Sequence, residues 1–152
     1  MEPRMNHPAM VVPGAMDALQ ALSTAAAKTG VPFATRKMVE LRASQINGCS
    51  FCVDMHSREL RKAGESEERI ATVAAWREGP WFSDAERAAL ALTEAVTRLA
   101  DRPGSVTDDI WEAAAEHYNE AQLGGLLLEI GSINVWNRLN AATHQLAGAY
   151  QV

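Results

Sequence analysis

The sequence has only two cysteines, few aromatic residues, no long apolar run and no excess of positive charge. Aromatics make up 6% of the 152 residues and alanine is very frequent, a composition that favours helices over strands. No segment approaches the roughly 18 uninterrupted apolar residues of a membrane span. A net charge of −5 excludes the basic surface that nucleic-acid binding needs. We therefore predict an all-α protein with neither a membrane nor a nucleic-acid partner.

The first 13 residues contain charged side chains and prolines but no continuous apolar segment, so we do not expect them to form a signal peptide. We therefore expect a cytoplasmic protein. Its length is that of one domain with a substantial core, which we predict over residues 1–152. In the cytoplasm a CxxC pair is more typical of catalytic, redox or metal-binding proteins than of structural disulfides.

Capping and breaking signals divide the chain into about six to seven helices of a single bundle. Ser83 and Glu86 have the spacing of a capping box, and glycines at 124, 125 and 131 permit a bend or close packing in the last segment. The predicted segments are approximately 17–28, 36–46, 49–63, 67–75, 84–100, 108–118 and 120–147, the last being one helix or a pair.

Cys49, Cys52 and His56 form the most informative motif. Because Asn47-Gly48 ends one predicted helix, Cys49 falls near the start of the next, where free amides and the helix dipole favour a thiolate. The spacing places the three side chains on one helical face and brings the thiols within disulfide reach. The alternative is two small buried thiols and a core histidine, which is less frequent for an intracellular CxxC.

A histidine beside a thiol is commonly oriented by a carboxylate. Glu40, on the preceding helix, reaches His56 if the two helices pack as a hairpin, and otherwise faces solvent. Glu86 is a rival carboxylate, already explained by its capping box. Cys49, Cys52 and His56 also supply three zinc ligands, but no second ligand pair follows. We therefore expect neither a metal nor another cofactor.

Other polar and aromatic residues have weaker claims to function. His117 lies near the end of a predicted helix, and His144 is isolated. The polar side chains of 134–140 either pair across a subunit interface or satisfy neighbouring helix ends. We expect the four tryptophans to be core or interface anchors rather than part of a cofactor site, namely Trp76, Trp81, Trp111 and Trp136.

The segment ELRASQINGCSFCVDMH, residues 40–56, together with RELRKAG at 58–64, resembles the alkyl hydroperoxidase D-like (AhpD-like) group of the carboxymuconolactone decarboxylase superfamily. The strong resemblance covers residues 36–100. It implies an all-α fold, a homo-oligomer (trimer or hexamer), and a cysteine pair that cycles through a disulfide without a bound cofactor.

By motif position, the resemblance makes Cys52 the peroxidatic thiol, Cys49 the resolving thiol and His56 part of a proton relay. The substrate is then a peroxide, and the reductant a lipoyl or thioredoxin-like dithiol protein. Two positions depart from the family pattern: Phe51 replaces a histidine between the cysteines, and Lys37 replaces the relay glutamate, leaving Glu40 one turn later.

Physical arguments do not decide which thiol attacks the peroxide, since Cys49 is nearer the helix start and Cys52 is nearer His56. The sequence thus predicts a thiol peroxidase or disulfide oxidoreductase with catalytic residues Cys49, Cys52, His56 and Glu40. The alternatives are a carboxymuconolactone decarboxylase-type lyase, whose chemistry does not need a CxxC, and a non-enzymatic oligomeric redox sensor.

Overall fold

The computed structural model describes residues 2–149, which form eight α-helices and no β-strand in that range. The predicted all-α fold is therefore confirmed. The helices are α1 (Pro8–Val11), α2 (Ala15–Ala27), α3 (Phe33–Asn47), α4 (Ser50–Lys62), α5 (Glu67–Thr72), α6 (Asp84–Thr97), α7 (Asp108–His117) and α8 (Glu120–Thr143). A 3-10 turn, Val73–Ala75, extends α5. None of these helices combines the length and the apolar character needed to cross a bilayer.

Most helix boundaries lie close to the predicted ones, and the differences have local causes. The capping box is present: Ser83 N–H donates to Glu86 and Glu86 N–H donates to the Ser83 hydroxyl. Helix α3 begins at Phe33, directly after Pro32 and three residues before the predicted start at 36, and Thr35 is buried inside it. The short α1, which starts at Pro8 and is capped by the His7 ring, was not predicted.

The last segment is one long helix rather than a pair, and it packs closely on α2. A Cβ atom added at Gly125 would lie 2.0 Å from Oγ1 of Thr29, so only glycine allows this approach. Gly124 and Gly131 have open space around them. Of the three glycines predicted to permit close packing, only Gly125 does so within the chain. The helix ends where His144 adopts a left-handed conformation with φ 54°.

Helix α3 occupies the centre of the molecule and packs against α4, α6 and α8. One apolar cluster joins α3 to α6, α7 and α8, and a second joins α3 to α4, α5 and α6. A third, smaller cluster surrounds the cysteines. The site is therefore built on the elements with the most tertiary support.

Candidate redox site

The two cysteines lie at the tight connection between α3 and α4. Gly48 has φ 68°, and its N–H and that of Cys49 donate to the carbonyls of Gln45 and Ser44. This pairing satisfies the end of α3 in the manner of a Schellman motif. Cys49 then becomes the N-cap residue of α4. The Asn-Gly break in the sequence thus places Cys49 at a helix start, as predicted.

Cys49 and Cys52 are joined by a disulfide, and their Cα atoms are 5.4 Å apart. Sγ of Cys49 accepts the backbone N–H of Cys52 at 3.3 Å, and Sγ of Cys52 accepts from Nδ2 of Asn140 at 3.3 Å. The two residues are only 2% and 0% exposed, so exposure does not distinguish them. Trp136 packs against their apolar cluster.

Asparagines of α8 hold the end of α3 beneath the disulfide. Nδ2 of Asn47 donates to the side-chain carbonyls of Asn134 and Asn137, at 3.0 and 2.9 Å. Asn137 in turn donates to Ser44 Oγ at 3.0 Å. Residues 134–140 were predicted either to pair across a subunit interface or to satisfy a neighbouring helix end. The contacts of Asn134 and Asn137 correspond to the second role.

His56 is 2% exposed and faces two carboxylates through the same ring nitrogen. Its Nδ1 lies 2.8 Å from Oε2 of Glu59 and 3.3 Å from Oε2 of Glu40. The helix hairpin thus brings Glu40 to His56, but Glu59 is the nearer carboxylate. Glu59 is not among the residues predicted from the sequence, although its position three residues after His56 on one helix was the available signal. Among residues 2–149, Nε2 of His56 is buried with no hydrogen-bond partner.

Lys37 completes this cluster with a positive charge. Its Nζ lies 2.7 Å from Oε2 of Glu40 and 3.3 Å from Oε2 of Glu59. Burial opposes ionisation of both carboxyls, yet His56 and Lys37 outweigh it and hold the pKa of Glu40 and that of Glu59 below the ordinary value. Burial likewise opposes the charge of Lys37, but the two carboxylates raise its pKa. Both glutamates are therefore ionised at neutral pH.

Glu129 of α8 adds a third carboxyl group, which was not predicted from the sequence. It is 2% exposed, and burial, the charge of Glu40 and a hydrogen bond with Glu40 raise its pKa to about 8. Arg36 lies 3.6 Å away and lowers the pKa of Glu129 only in part. The site therefore favours the protonated form of Glu129 more than water does. A single acid within the apolar run Leu126-Leu127-Leu128-Glu129-Ile130 was the signal for a special role.

The side chains that lie close enough to share a metal ion differ from the set suggested by the sequence, Cys49, Cys52 and His56. The sulfurs of Cys49 and Cys52 are bonded to each other rather than arranged with His56 as ligands. Glu40, His56 and Glu59 instead place one ligand atom each within 4.8 Å of the others. The ammonium group of Lys37 contacts the carboxylates of both Glu40 and Glu59. The cluster is therefore a network of ion pairs and hydrogen bonds.

The other sequence candidates lie outside this cluster or have structural roles. Glu86 binds Arg69 in addition to its capping interaction. His117 ends α7. Trp76 is buried and donates its indole N–H to Glu94, whereas Trp81 and Trp111 are 44% and 40% exposed. Trp81 and Trp111 are therefore not core anchors within a single chain.

The fold and the site define a class of all-α protein with a CxxC disulfide at a helix start, backed by a histidine–carboxylate cluster. This arrangement is compatible with thiol redox chemistry. Residues 13–95 match the carboxymuconolactone decarboxylase family. The chain belongs to this family and is an AhpD-like member of it.

Its relatives agree with that assignment. The chain is 37% identical to the uncharacterized protein YdfG of Bacillus subtilis over 132 residues, which cover 87% of this chain and 88% of YdfG. A structure of a protein of unknown function from Agrobacterium tumefaciens, suggested to be the antioxidant defence protein AhpD, superposes with a TM-score of 0.89 at 35% identity. The match covers 98% of this chain and 100% of that one.

The debrominase Bmp8 shares the fold at lower similarity. Its TM-score is 0.79 at 20% identity, over 90% of this chain and 73% of Bmp8. At that identity the likeness concerns the fold alone.

Proposed function

We propose that this protein is a thiol-dependent peroxidase that cycles through the Cys49–Cys52 disulfide, with a dithiol protein as its reductant. The observation that carries the proposal is that His56 lies on the same helix as Cys52 of the disulfide. The His56 ring is buried, and its Nδ1 contacts two carboxylates. A histidine so placed, one helical turn after Cys52, is suited to hold and release a proton during thiol chemistry.

In the oxidative half-reaction, the Cys52 thiolate attacks the terminal oxygen of an alkyl hydroperoxide. The O–O bond breaks, OH is transferred to sulfur, and the alkoxide leaves as an alcohol after taking a proton from His56. Cys49 then attacks the Cys52 sulfenic acid, forms the disulfide and releases water. A dithiol of the lipoyl or thioredoxin type restores both thiols by exchange and supplies two electrons and two protons.

The contacts of the two sulfurs support this division of roles. Cys49 is the N-cap of α4 and accepts the Cys52 backbone N–H, which stabilises a thiolate and makes Cys49 the better leaving group during reduction. Cys52 is nearer to His56 in the helix and accepts from Asn140. We therefore assign attack on the peroxide to Cys52 and resolution to Cys49.

The decisive experiment follows peroxide consumption and free thiols together. The reduced protein should consume cumene hydroperoxide, lose two thiols and two hydrogens in mass, and turn over repeatedly with dihydrolipoamide. One round of oxidation without turnover would indicate a redox sensor instead. Unchanged thiols after peroxide treatment would refute the peroxidase proposal, and dithiol oxidation without peroxide consumption would leave a disulfide oxidoreductase.

Matched cysteine variants test the assignment of roles. Cys49→Ser should still consume one equivalent of peroxide and accumulate a sulfenic acid that dimedone traps. Cys52→Ser should consume peroxide at least about 10²-fold more slowly, because the thiol next to the proton donor is missing. The opposite pattern would assign peroxide attack to Cys49.

We also propose that the protein acts in the cytoplasm as a homo-oligomer. Leu128 and Val135 of α8 are 44% and 41% exposed, and open space surrounds Gly124 and Gly131 on the same helix. The spacing of four, three and four residues makes these positions one continuous helical strip. A second copy of the chain is the occupant that the family resemblance favours.

A further inference from the structure

We propose that residues 4–9 form a strap over Trp136 and the disulfide, and that this strap must lift from α8 before the dithiol reductant reaches Cys52. The strap consists of the chain before α1 and the first two residues of that helix. That a dithiol protein is the reductant rests on the function proposed above, whereas the burial of the disulfide does not depend on it.

Reduction of the disulfide requires a sulfur that an incoming thiolate can reach. With the roles assigned above, the thiolate attacks Sγ of Cys52, the S–S bond breaks, and its electron pair leaves on Sγ of Cys49. The second thiol of the reductant then attacks the mixed disulfide and releases Cys52. The dithiol is thereby oxidised to a disulfide, and its two electrons and two protons pass to the cysteine pair. Both cysteines are buried, so an attacking thiolate cannot reach either sulfur in this arrangement.

Helix α8 turns two side chains toward the disulfide, one helical turn apart. Trp136 packs against the apolar cluster that contains both cysteines, and Nδ2 of Asn140 donates to Sγ of Cys52 at 3.3 Å. The His7 ring of the strap lies against the Trp136 indole, with ring centroids 5.3 Å apart and planes inclined by 35°. His7 therefore holds in place the side chain that packs over the cysteines.

Three hydrogen bonds fasten the strap to the last turn of α8 and the residues just beyond it. The Arg4 backbone N–H donates to the Thr143 carbonyl at 2.9 Å, and Nη1 of Arg4 donates to the Ala142 carbonyl at 3.0 Å. Nε2 of Gln145 donates to the Met5 carbonyl at 3.2 Å. Two of these acceptors are carbonyls that a helix end leaves without an intrahelical donor, so the strap also completes the end of α8.

The strap is weakly held compared with the helices beneath it. Residues 4–6 are exposed, and only Ala9 of the strap is buried. Nδ1 of His7 accepts the Ala9 backbone N–H at 3.1 Å, so the same ring caps the four-residue helix α1. Segments with few buried apolar contacts and exposed hydrogen bonds open at the lowest free energy in a native protein. Lifting the strap is therefore easier than separating α3, α4 and α8, which share apolar clusters.

The test measures the rate at which dithiothreitol reduces the disulfide of the oxidised, full-length protein. Arg4→Pro removes both donors of Arg4 to α8, and His7→Ala removes the ring. Each variant should be reduced about 5–30-fold faster than wild type, the factor expected when the closed strap loses one or two hydrogen bonds. Asn6→Ala, an exposed substitution in the same strap, should match wild type. Equal rates for wild type, Arg4→Pro and His7→Ala would overturn the proposal.

Two further variants identify the cause of a faster reduction. Gly125→Ala destabilises the contact of α8 with Thr29 but leaves the strap intact, so it should be reduced at the wild-type rate. An acceleration as large as that of Arg4→Pro would mean that the reductant enters through global unfolding, and the strap would then have no role.

Asp54→Ala removes the acceptor of the Gly148 N–H, at 3.0 Å, and so releases the segment after α8 from α4. It should also match wild type. Acceleration by Asp54→Ala but not by Arg4→Pro would identify the C-terminal segment as the cover and contradict the strap.

Reduction by dithiothreitol does not involve peroxide, so its rate separates the strap from the proposed function. A wild type that consumes no peroxide, together with faster reduction of Arg4→Pro, would refute the peroxidase and leave the strap. Repeated peroxide turnover, together with equal reduction rates for all variants, would refute the strap and leave the peroxidase.

Discussion

Nζ of Lys37 lies 2.7 Å from Oε2 of Glu40, one turn further along α3. The resemblance to the AhpD-like group places a glutamate at the position of Lys37, so this chain has a cation there and a carboxylate one turn later. Because Glu59 also reaches Lys37, at 3.3 Å, the three side chains balance charge around His56. The departure from the family pattern is therefore compensated within the cluster.

Replacing Lys37 should lower the thermal stability of the protein in a pH-dependent way. Glu40 and Glu59 have lowered pKa values, so their stabilising contribution is present above the ordinary carboxyl pKa and is lost as pH falls through the lowered values. Lys37→Met should therefore lower Tm most at pH 7, and the difference from wild type should shrink below about pH 4. Thermal melts across pH 3–8 measure this, with Lys28→Met as control. An equal loss at all pH values would mean that Lys37 contributes packing alone.

His56 and its two carboxylates should differ in their effect on rate. His56→Ala should remain folded yet lose about 10²–10⁴-fold in peroxide-driven oxidation, the usual range for a general acid–base group. Glu40→Gln and Glu59→Gln should each lose less, because the other carboxylate still lies within 3.3 Å of Nδ1. Their double variant should lose more than the product of the single effects.

Stopped-flow oxidation from pH 5 to 9 measures these rates. A wild-type rate in His56→Ala would remove the histidine from the mechanism and leave the helix dipole to activate the thiol.

The contact of α8 with Thr29, two residues after the end of α2, should be intolerant of even one methyl group. Gly125→Ala places a Cβ within 2.0 Å of Oγ1 of Thr29 and should cost about 1–3 kcal/mol through overpacking. Gly124→Ala is its matched control, because open space surrounds that position and alanine favours a helix by about 0.5–1 kcal/mol. Urea unfolding of both variants gives the two free energies. Equal stability of the two would show that the helices separate readily.

The exposed strip of α8 should mediate self-association. Analytical ultracentrifugation at micromolar concentration should give a multiple of the 16.5 kDa chain mass. Leu128→Glu should reduce that mass by placing a charge in an apolar interface. Leu99→Glu is the control, since Leu99 is similarly exposed, at 47%, but follows α6. A wild type that sediments only as a monomer would refute the oligomer.

The sequence by itself determined the features that depend on neighbours within a few residues. The Asn-Gly break and the CxxCxxxH spacing placed Cys49 at a helix start and Cys52 within disulfide reach, because cap geometry and helical period are local properties. The composition determined the all-α class for a similar reason. Glu40 was identified because α3 and α4 are joined by a very short connection.

The tertiary structure alone decided which distant groups complete the site. Glu129 and Asn140 reach the α3–α4 hairpin only because α8 packs across it, and no local periodicity specifies that contact. The carboxyl pKa values follow from the same packing: His56 and Lys37 lower the pKa of Glu40 against the effect of burial, whereas burial and the charge of Glu40 raise that of Glu129. The sequence determined the cysteine motif, and long-range packing determined the ionisation of the carboxyls near it, because the free energy of a buried charge depends on everything that surrounds it.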